Sequence, residues 1–254
     1  MFAEERRNKI ISLIRNKGKA SVNELSRSLG VSVVTIRKDL SHLEEIGKIV
    51  RTHGGAVLPN HAKVEWNFLN KIKQMSIEKK EIAKKAYSYI QEDDTVVLDS
   101  SSTNYYIAEL LKEKHINGVT IITNNIYIAE KLVESHYEII LLGGTIRSNS
   151  FSIVGPWSIK FLKELNLDIA FLGTTGISKE KGFMVANFLE AELKKTIIEA
   201  SEKKFIVADS SKFLKKSFVS FANFNDVTGI IVDKKIPSDF LKFLKKYKIK
   251  IDCV

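Results

Sequence analysis

The stretch SVNELSRSLGVSVVTIRKDLSHLEEIG, residues 21–47, decides the fold of the N-terminal part of this chain. It predicts two helices joined by a tight turn. Ser21, followed three residues later by Glu24, forms the sequence pattern of a capping box, which starts the first helix. Gly30 supplies the left-handed backbone conformation that ends this helix, and Ser32 caps the second helix.

Both predicted helices have one apolar and one polar face. Apolar residues recur at the three- and four-residue intervals of a helix face: Val22, Leu25 and Leu29 in the first helix, then Ile36, Leu40, Leu43 and Ile46 before Gly47 in the second. The opposite face of the second helix carries Thr35, Arg37, Lys38, Ser41 and His42. This pattern is typical of a helix-turn-helix, whose second helix enters the major groove of DNA. A helical hairpin within any globular protein would also have one buried and one solvated face.

The flanking residues favour the DNA-binding interpretation. Residues 4–17 predict a preceding helix. After the stretch, the segments KIVRTH and AVL flank Gly54 and Gly55, which predicts a two-stranded hairpin. Three helices and such a hairpin make a winged helix-turn-helix. Arg51 and His53 are candidates for phosphate or minor-groove contacts, although an exposed hairpin tip explains them equally well.

Composition and charge restrict the class of protein. The chain has 254 residues, of which 44% are hydrophobic and 28% charged, as expected for a soluble protein with one small and one larger domain. It contains no run of 18 apolar residues, and its start, MFAEERRNKI, lacks the apolar core of a signal peptide. Cys253 is the only cysteine, which excludes an internal disulfide framework. We therefore expect a cytoplasmic protein.

The net charge of +10 is concentrated at the N-terminus. Residues 1–59 contain eleven Lys and Arg against six Asp and Glu, which accounts for half of the net positive charge. The other half of the net charge is spread over the remaining 195 residues. This distribution favours a polyanionic partner for the N-terminal segment.

From residue 77 onward, apolar strands alternate with helices. Strands are predicted at 95–99, 119–123, 137–144, 168–173, 204–209 and 227–233, and helices at 77–90, 104–114, 126–135, 159–165, 188–201 and 238–247. This alternation is typical of a mostly parallel sheet covered on both faces. The predicted fold class is α/β, with a winged helix-turn-helix domain at 1–59, a polar connector at 60–76 that packs through Trp66, Phe68 and Ile72, and a sheet domain at 77–254.

Polar residues follow the predicted strands, where ligands bind in open α/β sheets. The loops are Asp99-Ser100-Ser101-Ser102-Thr103, Thr123-Asn124-Asn125, Gly143-Gly144-Thr145-Ile146-Arg147, Gly173-Thr174-Thr175-Gly176 and Asp209-Ser210-Ser211-Lys212. Hydroxyls and backbone amides at helix N-termini bind phosphate oxygens, and Arg147, Lys194 and Lys212 would add positive charge. Each loop alone is explained by helix capping, but their convergence favours a pocket for a small phosphorylated or polyhydroxylated ligand. No phosphate motif of high specificity is present.

Together the two halves resemble the DeoR family of bacterial transcriptional regulators. The resemblance covers essentially the whole chain and rests on ERRNKIISLI, residues 21–47 and RTHGGAVL in the first half, then on LDSSST, TNN, LLGGTIR with VGP, FLGTTGIS, EAELKKTII and VADSSKF. It implies an operator-binding repressor of a sugar-metabolism operon. Its C-terminal domain would be similar to sugar-phosphate isomerases and CoA transferases and would sense a phosphorylated sugar.

The resemblance also implies which residues bind the effector. At matching positions these are Asp99, Ser100, Ser101, Ser102, Thr103, Thr123, Asn124, Gly143, Gly144, Thr145, Arg147, Lys194 and Lys212. Two loops depart from the family pattern. Ser101 and Ser102 stand where the first loop often has a glycine, and Thr175 stands where many relatives have an acid.

We therefore expect a homo-oligomer, dimer or tetramer, that binds double-stranded operator DNA and has no cofactor or metal. The candidate DNA-binding residues are Ser21, Ser32, Thr35, Arg37, Lys38, His42 and Arg51. The alternative is a sugar-phosphate-processing enzyme with an accessory DNA-binding domain, in which Asp99, Asp209 and Glu192 are candidate acid/base groups. The five histidines show no metal-ligand spacing.

Overall fold

The computed structural model describes residues 2–17, 19–46, 48–52, 54–58 and 68–254, with the backbone only at residues 15 and 16. The chain divides into two compact units, Met1–Trp66 and Asn67–Val254. Within the described part, every helix is too short or too polar to cross a membrane.

The first unit combines helices with short strands. In chain order these are α1 (Ala3–Lys17), β1 (Lys19–Ser21), α2 (Val22–Leu29), α3 (Val33–Glu45), β2 (Val50–Thr52) and β3 (Gly55–Val57). The predicted hairpin of β2 and β3 is confirmed, and β1, which was not predicted, pairs with β3 as a third antiparallel strand. A Cβ atom on Gly55 would lie 2.3 Å from the backbone oxygen of Ala20, so this pairing requires glycine.

Both helices of the helix-turn-helix begin, and the first one ends, where the capping signals predict. Ser21 Oγ accepts a hydrogen bond from the Glu24 amide, and the Glu24 carboxylate accepts one from the Ser21 amide at 2.7 Å. Gly30 has a φ of 64° after α2, and Ser32 Oγ accepts a bond from the Thr35 amide at 3.1 Å. Each such cap contributes about 1 kcal/mol, so the local sequence stabilises both helix starts.

The apolar helix faces form the core of the first unit. Its buried helical members are Ile10, Ile14, Val22, Leu25, Ile36, Leu40 and Leu43, with Leu29 half-buried against them. The assignment of Ile46 to this stripe is wrong, since its side chain is 52% exposed. α3 ends at Glu45, so Ile46 is the C-cap residue and no longer follows the helical repeat. Gly47 lies outside the described residues.

The second unit is an α/β domain. Its helices are α4 (Phe68–Lys73), α5 (Ser76–Tyr87), α6 (Ser102–Glu113), α7 (Ile126–Leu132), α8 (Pro156–Lys163), α9 (Phe188–Ala200) and α10 (Ser238–Leu244). Its strands are β4 (Thr95–Leu98), β5 (Thr120–Thr123), β6 (Glu138–Leu141), β7 (Thr145–Arg147), β8 (Ser152–Val154), β9 (Leu167–Leu172), β10 (Gly176–Ser178), β11 (Gly182–Val185), β12 (Ser201–Ala208), β13 (Val219–Ala222), β14 (Gly229–Val232) and β15 (Lys250–Cys253).

Seven of these strands form one parallel sheet in the order β15-β14-β12-β9-β4-β5-β6. Alternate residues of a strand point to opposite faces. Accordingly, Val96 and Leu98 of β4 belong to the apolar core that contains Ile107 of α6, whereas Val97 belongs to the core that contains Ile197 of α9. The predicted parallel sheet covered by helices on both faces is therefore confirmed.

Short elements outside this sheet were not predicted. β7 pairs with β8, and β10, β11 and β13 form a small antiparallel sheet. Strands of three or four residues are too short for their alternation to stand out from a loop. The connector expected at 60–76 contains helix α4 of the second unit, with Phe68 only 1% exposed, while Trp66 lies outside the described residues.

Candidate nucleic-acid interface and ligand site

The outer face of α3 is exposed and basic. Arg37 and Lys38 are exposed, and Ser41 and His42 are half-buried beside them. With Val34 and Glu45, these four side chains line an open, concave surface. The Thr35 hydroxyl group already shares a hydrogen bond with Ser32, since its Oγ1 lies 2.9 Å from Ser32 Oγ. This surface has the shape and charge to follow a nucleic-acid backbone.

A buried ion pair fixes α3 on α1. Asp39, on the inner side of α3, is 2% exposed, and its carboxylate accepts hydrogen bonds from Arg6 and from Arg7 Nε, the latter at 3.1 Å. The hydrogen bond to Asp39 raises the pKa of Arg6, so this guanidinium stays charged. Asp39 was not predicted as a functional residue. Its partners lie more than thirty positions away, and no local pattern marks them.

The wing places Arg51 against the same face. Arg51 Nη1 donates to Ser41 Oγ at 3.2 Å, and its backbone amide donates to Glu44 Oε1 at 3.3 Å. Two other predicted contacts, Ser21 and Ser32, use their hydroxyl groups as helix caps. DNA contact by any of these residues stays a prediction. His53 lies outside the described residues.

In the second unit, Asp99 organises the edge where β4 and β9 end. Its buried carboxylate accepts hydrogen bonds from the Ser101 amide (2.8 Å), the Gly173 amide (2.9 Å), Asn104 Nδ2 (2.9 Å) and Lys194 Nζ. Lys194 also donates to the backbone oxygen of Gly173 at 3.0 Å. The structure thus brings together two of the predicted loops and the predicted lysine of α9.

The first loop packs tightly on the backbone beside it. A Cβ atom on Gly173 would lie 2.1 Å from Ser101 Cβ, so Ser101 occupies the space above this glycine. Ser101 Oγ caps α6 by accepting a bond from the Asn104 amide at 3.1 Å. Ser100 is half-buried, whereas Ser102 and Thr103 are buried in the first turn of α6. The capping interpretation is therefore correct for Ser101.

A second ion pair lies between the β7–β8 hairpin and α9. Arg147 Nη1 contacts Glu190 Oε1 at 2.7 Å, and Ser152 Oγ donates to the same oxygen at 3.1 Å. Burial raises the pKa of Glu190, but the charges of Arg147, Lys194 and Lys71 outweigh this effect and hold the pKa below its usual value. Lys194, which forms an ion pair with Asp99, therefore also acts electrostatically on Glu190.

Some polar side chains of the neighbouring loops form hydrogen bonds within the protein. Thr123 is fully buried, and its Oγ1 accepts a bond from the Asn125 amide at 3.2 Å. Asn124 donates through Nδ2 to the Ile153 oxygen at 3.1 Å, while its buried Oδ1 accepts no hydrogen bond from the described part of the chain. The predicted contacts Gly143, Gly144 and Thr145 are exposed at this edge. This unpaired acceptor on Asn124 is buried, so a ligand hydroxyl would satisfy it only by reaching below the surface of the loop.

The loop after β12 adds a third charged group. Lys212 Nζ lies 3.7 Å from Asp209 Oδ2, an oxygen that accepts no hydrogen bond from any described residue. Burial raises the pKa of Asp209, but the charges of Lys212 and Lys79 and the hydrogen bonds from Ser211 outweigh this effect and hold the pKa below its usual value. Lys79, from α5, is 2% exposed, and burial lowers its pKa to about 7.

Lys71 and Lys79 were not predicted as site residues. Both lie before the first strand of the sheet, Lys71 within the predicted connector at 60–76 and Lys79 within the predicted helix at 77–90. Their charges act on Glu190 and Asp209, respectively. A buried lysine in a helix cannot be distinguished by sequence from a solvated one, because the helical period places residues on a face without saying how deeply that face is covered.

Comparisons with known proteins agree with this architecture. Residues 6–62 match the family model of the DeoR-like helix-turn-helix domain, and residues 74–234 match that of the DeoR C terminal sensor domain. The putative aga operon transcriptional repressor of Escherichia coli O157:H7 is 36% identical over 97% of this chain and 92% of its own length. The glycerol-3-phosphate regulon repressor of Escherichia coli is 32% identical over 99% of both chains.

Other similar proteins include an activator and an enzyme. The L-fucose operon activator of Haemophilus influenzae is 33% identical over 94% of this chain and 96% of its own. Ribose 5-phosphate isomerase from Plasmodium falciparum is 23% identical, with a TM-score of 0.41 over 56% of this chain and 54% of that one. The two family models and these regulators, aligned along nearly their whole length, show that the chain belongs to the DeoR family of transcriptional regulators.

Proposed function

We propose that the chain is a repressor of a sugar-metabolism operon whose affinity for operator DNA is controlled by a phosphorylated sugar bound in the second unit. Residues 1–59 would bind DNA and residues 77–254 would sense the effector. The observation that carries the proposal is the pair of cations Arg147 and Lys194, which both act on Glu190 beside the sheet edge, in a chain that also presents the basic face of α3; Lys212 follows the neighbouring strand β12. The names of the aga operon and glycerol-3-phosphate regulon repressors support it.

The charges at the sheet edge suit a phosphate group. Arg147 and Lys194 face carboxylates, so a phosphate dianion would compete with Glu190 for cations that are already in place. Among the described residues no group donates a hydrogen bond to the buried atoms Asn124 Oδ1 and Asp209 Oδ2, so a sugar that reached them would satisfy them with its hydroxyl groups. The ligand would thus be recognised through one anionic and several hydroxyl groups.

The same contacts argue against the enzyme alternative. A general base needs a carboxylate that is available to a substrate proton. The Asp99 carboxylate instead accepts bonds from two backbone amides, an amide side chain and Lys194. The similar proteins named above that cover this chain fully are regulators, so we propose that the site senses its ligand and does not convert it.

DNA recognition would involve the exposed side chains of α3 and the wing. Arg37 and Lys38 would contact bases and phosphates, with Ser21, Ser32, Thr35, His42 and Arg51 beside them. We propose that the protein acts as a homo-oligomer on an inverted repeat, because paired half-sites are the usual target of helix-turn-helix proteins. Such a regulator acts in the cytoplasm, where the DNA is.

A thermal-shift screen of the full chain tests the sensor. We expect one phosphorylated sugar to raise the melting temperature, because a ligand at about 100 times its Kd stabilises by about 2.7 kcal/mol. The unphosphorylated form of each sugar is the matched control and should have little effect. If no phosphorylated sugar shifts the transition, the proposed effector class is wrong.

A DNA-binding assay tests the interface. An operator selected from genomic fragments by the full chain should bind Arg37→Ala less tightly. For Lys38→Ala, the slope of log K against log salt should fall by about 1, the effect of losing one phosphate contact. Lys160→Ala, which removes an exposed charge from α8 in the other unit, is the control. An unchanged affinity and salt slope for both α3 variants would contradict the assignment.

A further inference from the structure

Val34 is an apolar side chain on the face of α3 that the proposed function places on DNA. It lies in the first turn of this helix and is 61% exposed. The neighbouring Val33 is half-buried and packs against the core of the first unit, to which Val34 does not belong. Among the described residues of this unit, the other large apolar side chains that are exposed are Phe2 and Ile46.

The stability of α3 does not explain a valine at this position. A β-branched side chain loses rotamer freedom in a helix, so an exposed valine weakens the helix relative to alanine. Single exposed apolar residues are common on protein surfaces and need no partner. Val34 differs from such a residue in its surroundings, because it lines the open concave surface that also contains Arg37, Lys38 and Ser41.

The helical period places Val34 on the middle of the exposed face of α3. Positions 34, 37, 38 and 41 are separated by three and four residues, so their side chains lie on one side of the helix. Ile36, Leu40 and Leu43 face the core from the opposite side. The N-terminal residues of a recognition helix are those that reach base edges, so Val34 is placed to meet them.

The hydroxyl groups beside Val34 already form hydrogen bonds within the protein. Ser32 Oγ accepts a bond from the Thr35 amide at 3.1 Å and shares another with Thr35 Oγ1 at 2.9 Å. Thr35 is also half-buried, whereas Val34 is exposed. The first turn of α3 therefore presents an apolar side chain, and the charged side chains of Arg37 and Lys38 follow one turn further along.

The chemistry of the major groove identifies the group that such a side chain fits. Base-pair edges in this groove carry hydrogen-bond donors and acceptors, and the C5-methyl group of thymine is the apolar exception. A valine held against a donor or an acceptor would shield that group from water without offering it a hydrogen bond, which is unfavourable. Contact with a thymine methyl group instead removes apolar surface of both partners from water.

We propose that Val34 is a specificity-determining residue that packs against the C5-methyl group of a thymine in each half of the operator. The inference rests on the proposed function, because it needs α3 in the major groove. Arg37 follows Val34 by about 5 Å along the helix axis, and successive base pairs are about 3.4 Å apart. A guanine contacted by Arg37 is therefore expected within about two base pairs of this thymine.

Replacing thymine by uracil in the operator tests this inference, because uracil lacks only the methyl group and keeps the hydrogen-bonding groups. The duplex is the operator that the full chain selects from genomic fragments, and each thymine is replaced in turn. One replacement should weaken binding of the wild type by about fourfold per half-site, the effect of burying one methyl-sized group. The same replacement should change the affinity of Val34→Ala by less than about 1.5-fold.

Matched variants separate this contact from other changes in the helix. Ile46→Ala removes an exposed apolar side chain from the C-cap of α3 and should keep the full sensitivity to the methyl group. Thr35→Ser removes the methyl group next to Val34 and should keep it as well. Val34→Ala should fold like the wild type, since alanine is the better helix former, and it retains Arg37 and Lys38 for operator binding.

Three results would overturn this inference alone. Every replacement by uracil could weaken the wild type by less than about twofold, or Val34→Ala could be as sensitive to the replacement as the wild type. The sensitivity could also disappear in Thr35→Ser and persist in Val34→Ala, which would assign the methyl contact to Thr35. The proposed position of α3 on DNA fails by a different result, an unchanged operator affinity and salt slope for both Arg37→Ala and Lys38→Ala.

Discussion

Replacing Asp99 by alanine should destabilise the second unit severely. The substitution removes a carboxylate that accepts four hydrogen bonds, and it leaves Lys194, whose side chain is 7% exposed, as a buried charge without its counter-ion. Removing one partner of a buried ion pair costs about 3–5 kcal/mol. We therefore expect the free energy of unfolding of this unit to fall by about that amount.

A double-mutant cycle shows whether the ion pair is the cause. Lys194→Met alone should cost less than Asp99→Ala, because the remaining carboxylate keeps the Ser101, Gly173 and Asn104 donors. The double variant removes both charges, so it should cost less than the sum of the single variants, with a coupling of about 0.5–3 kcal/mol. Glu202→Ala, at an exposed position of β12, should stay within about 0.5 kcal/mol of the wild type.

Urea unfolding followed by circular dichroism and by pulse proteolysis is the assay. The two units need not unfold together, and the proteolytic fragments report on each unit separately. A loss below about 1 kcal/mol for Asp99→Ala, or a double variant whose cost equals the sum of the single costs, would refute the reasoning. In the first case, water would have to reach Lys194.

Two further predictions concern backbone fit and pH. Gly55→Ala should destabilise the first unit by about 1–3 kcal/mol in urea unfolding, because its Cβ atom would lie 2.3 Å from the Ala20 oxygen. Gly54→Ala is the comparison: its Cβ atom would meet no described atom, so its cost reports only the positive φ of Gly54 and not a clash. The wild type and Lys79→Met should differ in how their stability depends on pH. Above a pH of about 7 the buried lysine of the folded protein has lost its proton, whereas the same lysine in the unfolded chain, with a pKa near 10.5, keeps it. As the pH rises above about 7, the free energy of unfolding of the wild type should therefore increase relative to that of the variant by up to about 1.4 kcal/mol per pH unit. The groups that face Lys79 are Lys212, Asp209, Lys71 and Glu78. Stability curves that run parallel from pH 7 to 9 would show that Lys79 stays protonated in the fold.

The sequence by itself determined the elements whose signals are local. Ser21, Glu24, Gly30 and Ser32 act within four residues of their partners, so the capping pattern alone places both helices of the helix-turn-helix. The inner strands of the sheet were predictable for a similar reason, because strands buried on both faces are nearly continuous apolar runs. The exposure of Arg37 and Lys38 follows from the helical period.

Only the tertiary structure decided which distant residues meet. Asp99 pairs with a lysine 95 positions away, and Asp39 holds an arginine 33 positions away. β1 was missed because its partner β3 lies across two helices, and α4 because its apolar residues are too few to show a period. The local sequence specifies where an element starts and which side is apolar, but a contact between elements depends on how the whole chain packs. For this reason the polar loops that follow the strands were predictable, whereas the charges of Lys71 and Lys79 beside them were not.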